Sequence, residues 1–178
     1  KNADAVEQHP SYATLVQMFE PIREDLEKVE TEFYRHVESQ VDLIPKIGRY
    51  IQNGGGKRIR PVLCLAVADA AGGSIDGGLP AAASIELVHT FSLVHDDLPA
   101  MDDARMRRGR TCPHVVHGEA AAILGALAFV NQGYALLWSV LGELPASRRE
   151  QARQLVADSL GLAGILNGQA LDLQFGNS

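Results

Sequence analysis

Between Tyr12 and Gln40, apolar residues return every three or four positions, at Leu15, Met18, Phe19, Ile22, Leu26, Val29, Phe33 and Val37. On a helix of about 3.6 residues per turn this spacing gathers them into one stripe and leaves the charged residues on the opposite face. A shorter pattern follows in Val41, Ile44, Ile47 and Ile51, and Gly54, Gly55 and Gly56 stop it. No stretch alternates with period two over a useful length. The expectation is therefore all-α, with long helices packed in a bundle-like or orthogonal manner around a central cavity. The 178 residues suffice for a sizeable core and are expected to form a single domain over 1–178.

Further helices are predicted over Ala81–Asp97 and over the alanine-rich run Glu119–Leu141. The second run has the length of a membrane span, but Asn131, Gln132 and its small residues predict a buried core helix and no transmembrane segment. Pro145 interrupts the chain, and Ser147 with Glu150 forms a capping-box pattern for another helix. Sixteen basic against 22 acidic residues give a net charge of −6, which argues against general affinity for nucleic acid. Any anionic substrate must be captured by local basic groups or bound metal. Cys64 and Cys112 offer neither a disulfide framework nor zinc spacing, and KNADAVEQHPSY has no apolar signal core, so a cytoplasmic location is expected.

Chemistry concentrates in Glu86–Arg110, where Asp96-Asp97 and Asp102-Asp103 lie between an apolar helical run and Arg105, Arg107, Arg108 and Arg110. Carboxylates are hard ligands suited to Mg2+, which takes one or two of them and leaves room for phosphate oxygens. At about 100° per residue, Asp96 and Asp102 would fall on different faces of a continuous helix. Pro99 disfavours helical geometry at Leu98, so the helix is expected to end near Asp97 and to detour through Leu98–Met101, returning Asp102 beside Asp96. Taken alone, the stretch also reads as a solvated acidic turn neutralised by arginines.

A second motif, GGGKRIRP from Gly54 to Pro61, combines a glycine turn with Lys57, Arg58 and Arg60 at a helix N-terminus. Such a terminus favours anions, and Pro61 suits the first helical position. No Ser or Thr follows the lysine, so this is not a P-loop. A diphosphate pocket is one reading; a glycine helix stop with exposed basic residues is the other. His89, Ser92 and Asp96 recur at three and four along one stripe of the intervening helix. A lone histidine in that setting is more often a hydrogen-bonded core residue than a ligand.

HDDLPAMDD followed by RRG resembles the first aspartate-rich motif of the trans-isoprenyl diphosphate synthases, in the form typical of bacterial farnesyl and many geranylgeranyl diphosphate synthases. GGKRIRP before it and NGQALDLQF after it resemble two more motifs of that family, in the same order. The resemblance implies an isoprenoid-synthase-like helical fold and an Mg2+-dependent prenyltransferase. Such an enzyme condenses isopentenyl diphosphate with dimethylallyl, geranyl or farnesyl diphosphate into a C15 or C20 product. It implies metal binding by Asp96, Asp97 and Asp102. Gly56, Lys57, Arg60 and His89 would bind isopentenyl diphosphate. Arg107 and Arg108 would contact the allylic and homoallylic diphosphates, and Gln169 and Asp172 would line the allylic site. Phe91 and Ser92 lie before Asp96 where, in related enzymes, a bulky residue floors the elongation tunnel. Phe91 also reads as ordinary core. A homodimer is implied as well. Arg105 and Arg110 are expected to be surface charges.

Two departures accompany the resemblance. Leu124 runs directly into Gly125-Ala126-Leu127, where the family carries a few more residues, and Ser178 precedes the family's downstream lysine motif and second aspartate-rich motif. The chain is therefore expected to be the N-terminal portion of the family fold and to be weakly active or inactive by itself. Two alternatives stand beside this reading. A non-catalytic partner subunit would have no use for the clustered charge of Asp96, Asp102, Lys57 and Arg60. A terpene cyclase of the same helical class would need no second diphosphate pocket.

Overall fold

The computed structural model describes residues 20–176. Where the sequence reading expects one domain, the chain clusters into two compact units, one ending at Leu136 and the next beginning at Leu137.

In the first unit a short turn, Glu20–Ile22, leads into α1 (Arg23–Val37), followed by α2 (Leu43–Gln52). The upstream part of the predicted Tyr12–Gln40 helix, with Leu15, Met18 and Phe19, lies outside the described residues. The described stripe behaves as its spacing requires: Val29, Phe33 and Val37 are buried. Val41 does not join the second stripe, because α2 starts after it and leaves it 65% exposed.

Next come α3 (Ile59–Ala70) and α4 (Ile75–Asp96). Pro61 is the third residue of α3 rather than the first, a position where its missing N–H still costs no intrahelical bond. The predicted start of α4 at Ala81 is also late. Ser74 caps the helix by accepting the Gly77 N–H at 3.1 Å, and Pro80 sits in the second turn at the cost of one ladder bond. β1 (Met106–Arg107) and β2 (Arg110–Thr111) form a small antiparallel hairpin, then come α5 (Pro113–His117) and α6 (Glu119–Gly142).

The organising element is α4. It contributes Ala83 and Leu87 to a cluster with Phe33, Val37, Ile47, Phe129 and Leu136, Val94 to a cluster with Leu98, Ala122 and Ala126, and Ala82 to a cluster with Val29 and Leu65. A helix surrounded in this way needs apolar or small residues on all sides, which is how α4 reads. Close approach by α6 depends on glycine. A Cβ on Gly133 would lie 2.8 Å from Val88 Cγ2, and the Ser84 hydroxyl donates to the Gly133 carbonyl at 2.8 Å.

Helix α6 is continuous across Leu124-Gly125, so the local shortening leaves no break. Its length and composition would allow it to cross a membrane, a property shared by core helices of bundles. The expectation of a wholly buried helix needs correction: Ala122, Ala126 and Phe129 are buried, whereas Ile123, Leu124 and Leu127 are exposed.

The second unit holds the end of α6, α7 (Ala146–Leu160) and α8 (Ile165–Gly176). Ser147 is not the cap of α7. Pro145 holds that position, and Glu150 accepts from Arg153 at 2.9 Å instead of completing a capping box. No residue of α7 is buried, and Leu155, Leu162, Leu166, Leu171 and Phe175 are exposed.

Candidate functional site

At the C-terminal end of α4 the chain turns as the proline predicts. The Met101 N–H donates to the Leu98 carbonyl at 2.9 Å, and the Asp102 N–H donates to the Asp96 carbonyl at 3.0 Å. The detour therefore returns the backbone of Asp102 to Asp96. A third bond, from the Asp103 N–H to the Leu98 carbonyl at 3.1 Å, accompanies a left-handed Asp103 at φ 48°.

Asp97 takes a different place from its neighbour. It is 2% exposed, and both its carboxylate oxygens accept from Arg107 Nε, at 2.7 and 2.9 Å. Arg107 also donates to Asp96 Oδ2 at 3.2 Å, so one guanidinium bridges the acidic pair. Expected as a metal ligand, Asp97 is here a buried ion-pair partner. Among the described residues no three or more metal-ligating side chains come together. Cys112, which is 1% exposed, lines one cavity with Asp97 and Arg107. Burial, reinforced by the Asp97 carboxylate, pushes the thiol up to about 11, so it stays protonated at neutral pH.

The hairpin carries the RRG arginines on a two-residue turn. Arg107 pairs with Arg110, and the intervening Arg108 and Gly109 both have positive φ, at 53° and 75°. This is the primed turn that matches strand twist, and Gly109 takes the second position without a Cβ penalty. From the tip, Arg108 Nη1 donates to the Gly55 carbonyl at 2.8 Å. Arg110, expected to be a surface charge, instead donates to the Tyr50 carbonyl at 3.2 Å and stacks its guanidinium 4.6 Å above the Tyr50 ring. Tyr50 in turn donates to the Thr111 carbonyl at 2.7 Å. The glycine turn and the arginine hairpin, far apart in sequence, are thus fastened to each other. Between them lies a cavity of about 60 Å³, bounded by Tyr50, Leu93, Val94, Asp97, Arg108 and Cys112 among others. It stands beneath the hairpin, which lines it with Arg107, Arg110 and Thr111 as well.

Gly56 is hemmed in by cations. A Cβ there would lie 2.6 Å from Arg108 Nη1 and 2.8 Å from Arg58 Nη1. Lys57 and Arg60 are exposed, and Arg60 Nη1 meets His89 Nε2 at 3.3 Å. Burial first, and then the charges of Arg60, Arg108, Arg107 and Arg58, lower the His89 pKa to about 4. Its imidazole is therefore neutral at pH 7 and can accept or donate a hydrogen bond without adding charge. Ser92 turns its hydroxyl back to the His89 carbonyl at 2.8 Å. Phe91 packs partly buried against two core clusters, with its ring 5.7 Å from that of His95, and does not line the cavity. Gln169 and Asp172 lie on α8, in the second unit.

The first unit therefore unites Gly56, Lys57, Arg60, His89 and Arg108 in a cationic corner, next to an acidic corner in which Arg107 bridges Asp96 and Asp97 and the Asp102 backbone returns to Asp96. Sequence reasoning counts Arg58 only among the basic residues of the motif and gives Cys112 and Tyr50 no place in the site. Their roles depend on burial and long-range contact, for which spacing carries no signal.

A family model described as polyprenyl synthetase matches residues 41–178. The chain is 42% identical over 125 residues to a geranylgeranyl diphosphate synthase of Cyanophora paradoxa, covering 70% of this chain and 42% of that protein. It is 38% identical over 137 residues to a farnesyl diphosphate synthase of Bacillus subtilis, covering 76% and 46%. Among solved structures, a geranyltransferase from Legionella pneumophila superposes with a TM-score of 0.78 at 31% identity, covering 92% of this chain and 57% of that one. An FPP/GFPP synthase from Zymomonas mobilis gives 0.78 at 28% identity, covering 93% and 60%. The chain spans about half the length of the curated relatives it matches.

Proposed function

The chain belongs to the polyprenyl synthetase family, and on that premise we propose that its protein condenses isopentenyl diphosphate with an allylic diphosphate into a C15 or C20 prenyl diphosphate. The observation that carries this reading is the bond from Arg108 to the Gly55 carbonyl at 2.8 Å, which draws the glycine turn and the arginine hairpin into one place. Two diphosphates need two polyanion-binding corners, and a bond between the two motifs supports their lying side by side.

Lys57, Arg60 and neutral His89 hold isopentenyl diphosphate, with Gly56 leaving room for phosphate oxygens against the backbone. Arg108 orients the same group, and Arg107 faces the allylic diphosphate, where its fork of donors matches phosphate geometry. Asp96 and Asp102 supply hard oxygen donors in the number that Mg2+ takes when substrate phosphates complete its shell. Mg2+ bound there would neutralise charge on the departing diphosphate. Asp97, saturated by Arg107, holds that arginine in position. Gln169 and Asp172 serve the allylic site, and Phe91 limits product length. The active protein is a cytoplasmic homodimer.

The test supplies Mg2+, labelled isopentenyl diphosphate and geranyl or farnesyl diphosphate to a protein of the relatives' length and to the 178-residue chain. Turnover to C15 or C20 is expected from the longer protein, lost with Asp96→Ala, and weak or absent from the chain alone. Phe91→Ala should lengthen the product. A longer protein that binds neither diphosphate overturns the reading.

A further inference from the structure

Arg58 lies between Lys57 and Arg60 in sequence and is built for a different task. Its side chain is 10% exposed, against the open positions of both neighbours. Nε donates to Glu30 Oε1 on α1 at 3.2 Å, and Nη1 donates to Glu86 Oε1 on α4 at 2.9 Å. Nη2 donates to the Gln52 carbonyl at the end of α2 at 3.3 Å, and to the Gln52 side-chain oxygen. One guanidinium thus ties three helices to the first residue before α3.

The backbone at that residue is unusual. Arg58 has φ 47°, in the left-handed region that a non-glycine residue enters at a cost. Such a conformation persists where surrounding contacts over-determine it, and the side-chain anchors do so here. It sets the direction in which α3 departs, and Arg60, two residues on, is carried with it. Glu86 and His89, three apart on α4, share a face. The contacts Arg58–Glu86 and Arg60–His89 are therefore successive rungs between the start of α3 and one side of α4. Glu86 is itself buried, and burial raises its pKa while Arg58 pulls it back.

We propose that Arg58 is a positioning residue for the isopentenyl diphosphate corner, locking the left-handed entry to α3 so that Lys57 and Arg60 are held in place before the ligand arrives. The inference rests on the function proposed above. A buried ion pair of this kind adds little net stability yet fixes one arrangement among several. Lysine keeps the charge but lacks the planar fork, so it cannot reach all three helices at once.

The experiment measures binding of isopentenyl diphosphate and of geranyl diphosphate by calorimetry in a protein of the relatives' length, as wild type, Arg58→Lys and Glu86→Gln. Wild type that binds neither diphosphate overturns the functional reading and this inference with it, and wild type that binds geranyl diphosphate alone overturns this inference. Where it binds, Arg58→Lys and Glu86→Gln are each expected to weaken isopentenyl diphosphate about tenfold, with helical circular dichroism retained and geranyl diphosphate changed by less than about twofold. The double variant should be no weaker than the worse single one, because both break the same lock. Folded variants with unchanged isopentenyl diphosphate affinity, or with both ligands weakened equally, overturn the inference alone. So does failure of both variants to fold, which would make the contact a requirement of the fold instead.

Discussion

His89 illustrates how a single side chain reports its surroundings. Its ordinary value is about 6.5, and burial among arginines lowers it to about 4 in the folded chain. The unfolded chain therefore takes up this proton first as pH falls. The stability linked to it is fully present above about 6.5 and is lost on the way down through about 4. Urea midpoints should fall between pH 7 and pH 5, and His89→Gln should flatten that slope; parallel slopes would contradict the assignment. Gly56→Ala probes the same corner. Its Cβ would meet the flexible ends of two arginines, so stability should change by less than about 1 kcal/mol. Displaced guanidinium should nevertheless weaken isopentenyl diphosphate by roughly tenfold in the same calorimetric titration. The residue types of this corner were legible from sequence. The neutral state of His89 and the confinement of Gly56 were not, since each depends on groups brought in by other elements.

Among elements, α4 and α6 show what close packing demands. With Gly133 set against Val88, Ser84 and Leu87, there is no space for a branched side chain. Gly133→Val should destabilise the chain by about 2–3 kcal/mol, read as a lowered urea midpoint with an unchanged slope. Full retention of stability would place the two helices farther apart than described. The sequence marks α6 as a helix and Gly133 as a mild defect within it. Its value appears only when the facing helix is known. The hairpin gave a weaker signal still: two residues per strand are too few for any alternation, and its turn is recognised by the positive φ of Arg108 and Gly109.

For the molecule as a whole, burial divides the chain more sharply than composition does. Helix α4 enters three core clusters, whereas α7 buries no residue. Amide exchange should follow, with α7 exchanging at least about a hundredfold faster than α4 at neutral pH. Equal protection would show that the second unit is as firmly held as the first.

By itself the sequence determined that the chain is helical, where the backbone turns back between Asp96 and Asp102, and which cations and acids cluster in its motifs. Those outcomes follow from local rules: side chains three or four apart share a face, and proline cannot continue a helix. Only the tertiary structure decided that Asp97 faces inward to Arg107, that Arg58 is an anchor while its neighbours stay open, and that Arg108 meets the glycine turn. The partners in these contacts stand between 6 and 53 positions apart. Their energies depend on dielectric and geometry that exist only once the helices have met.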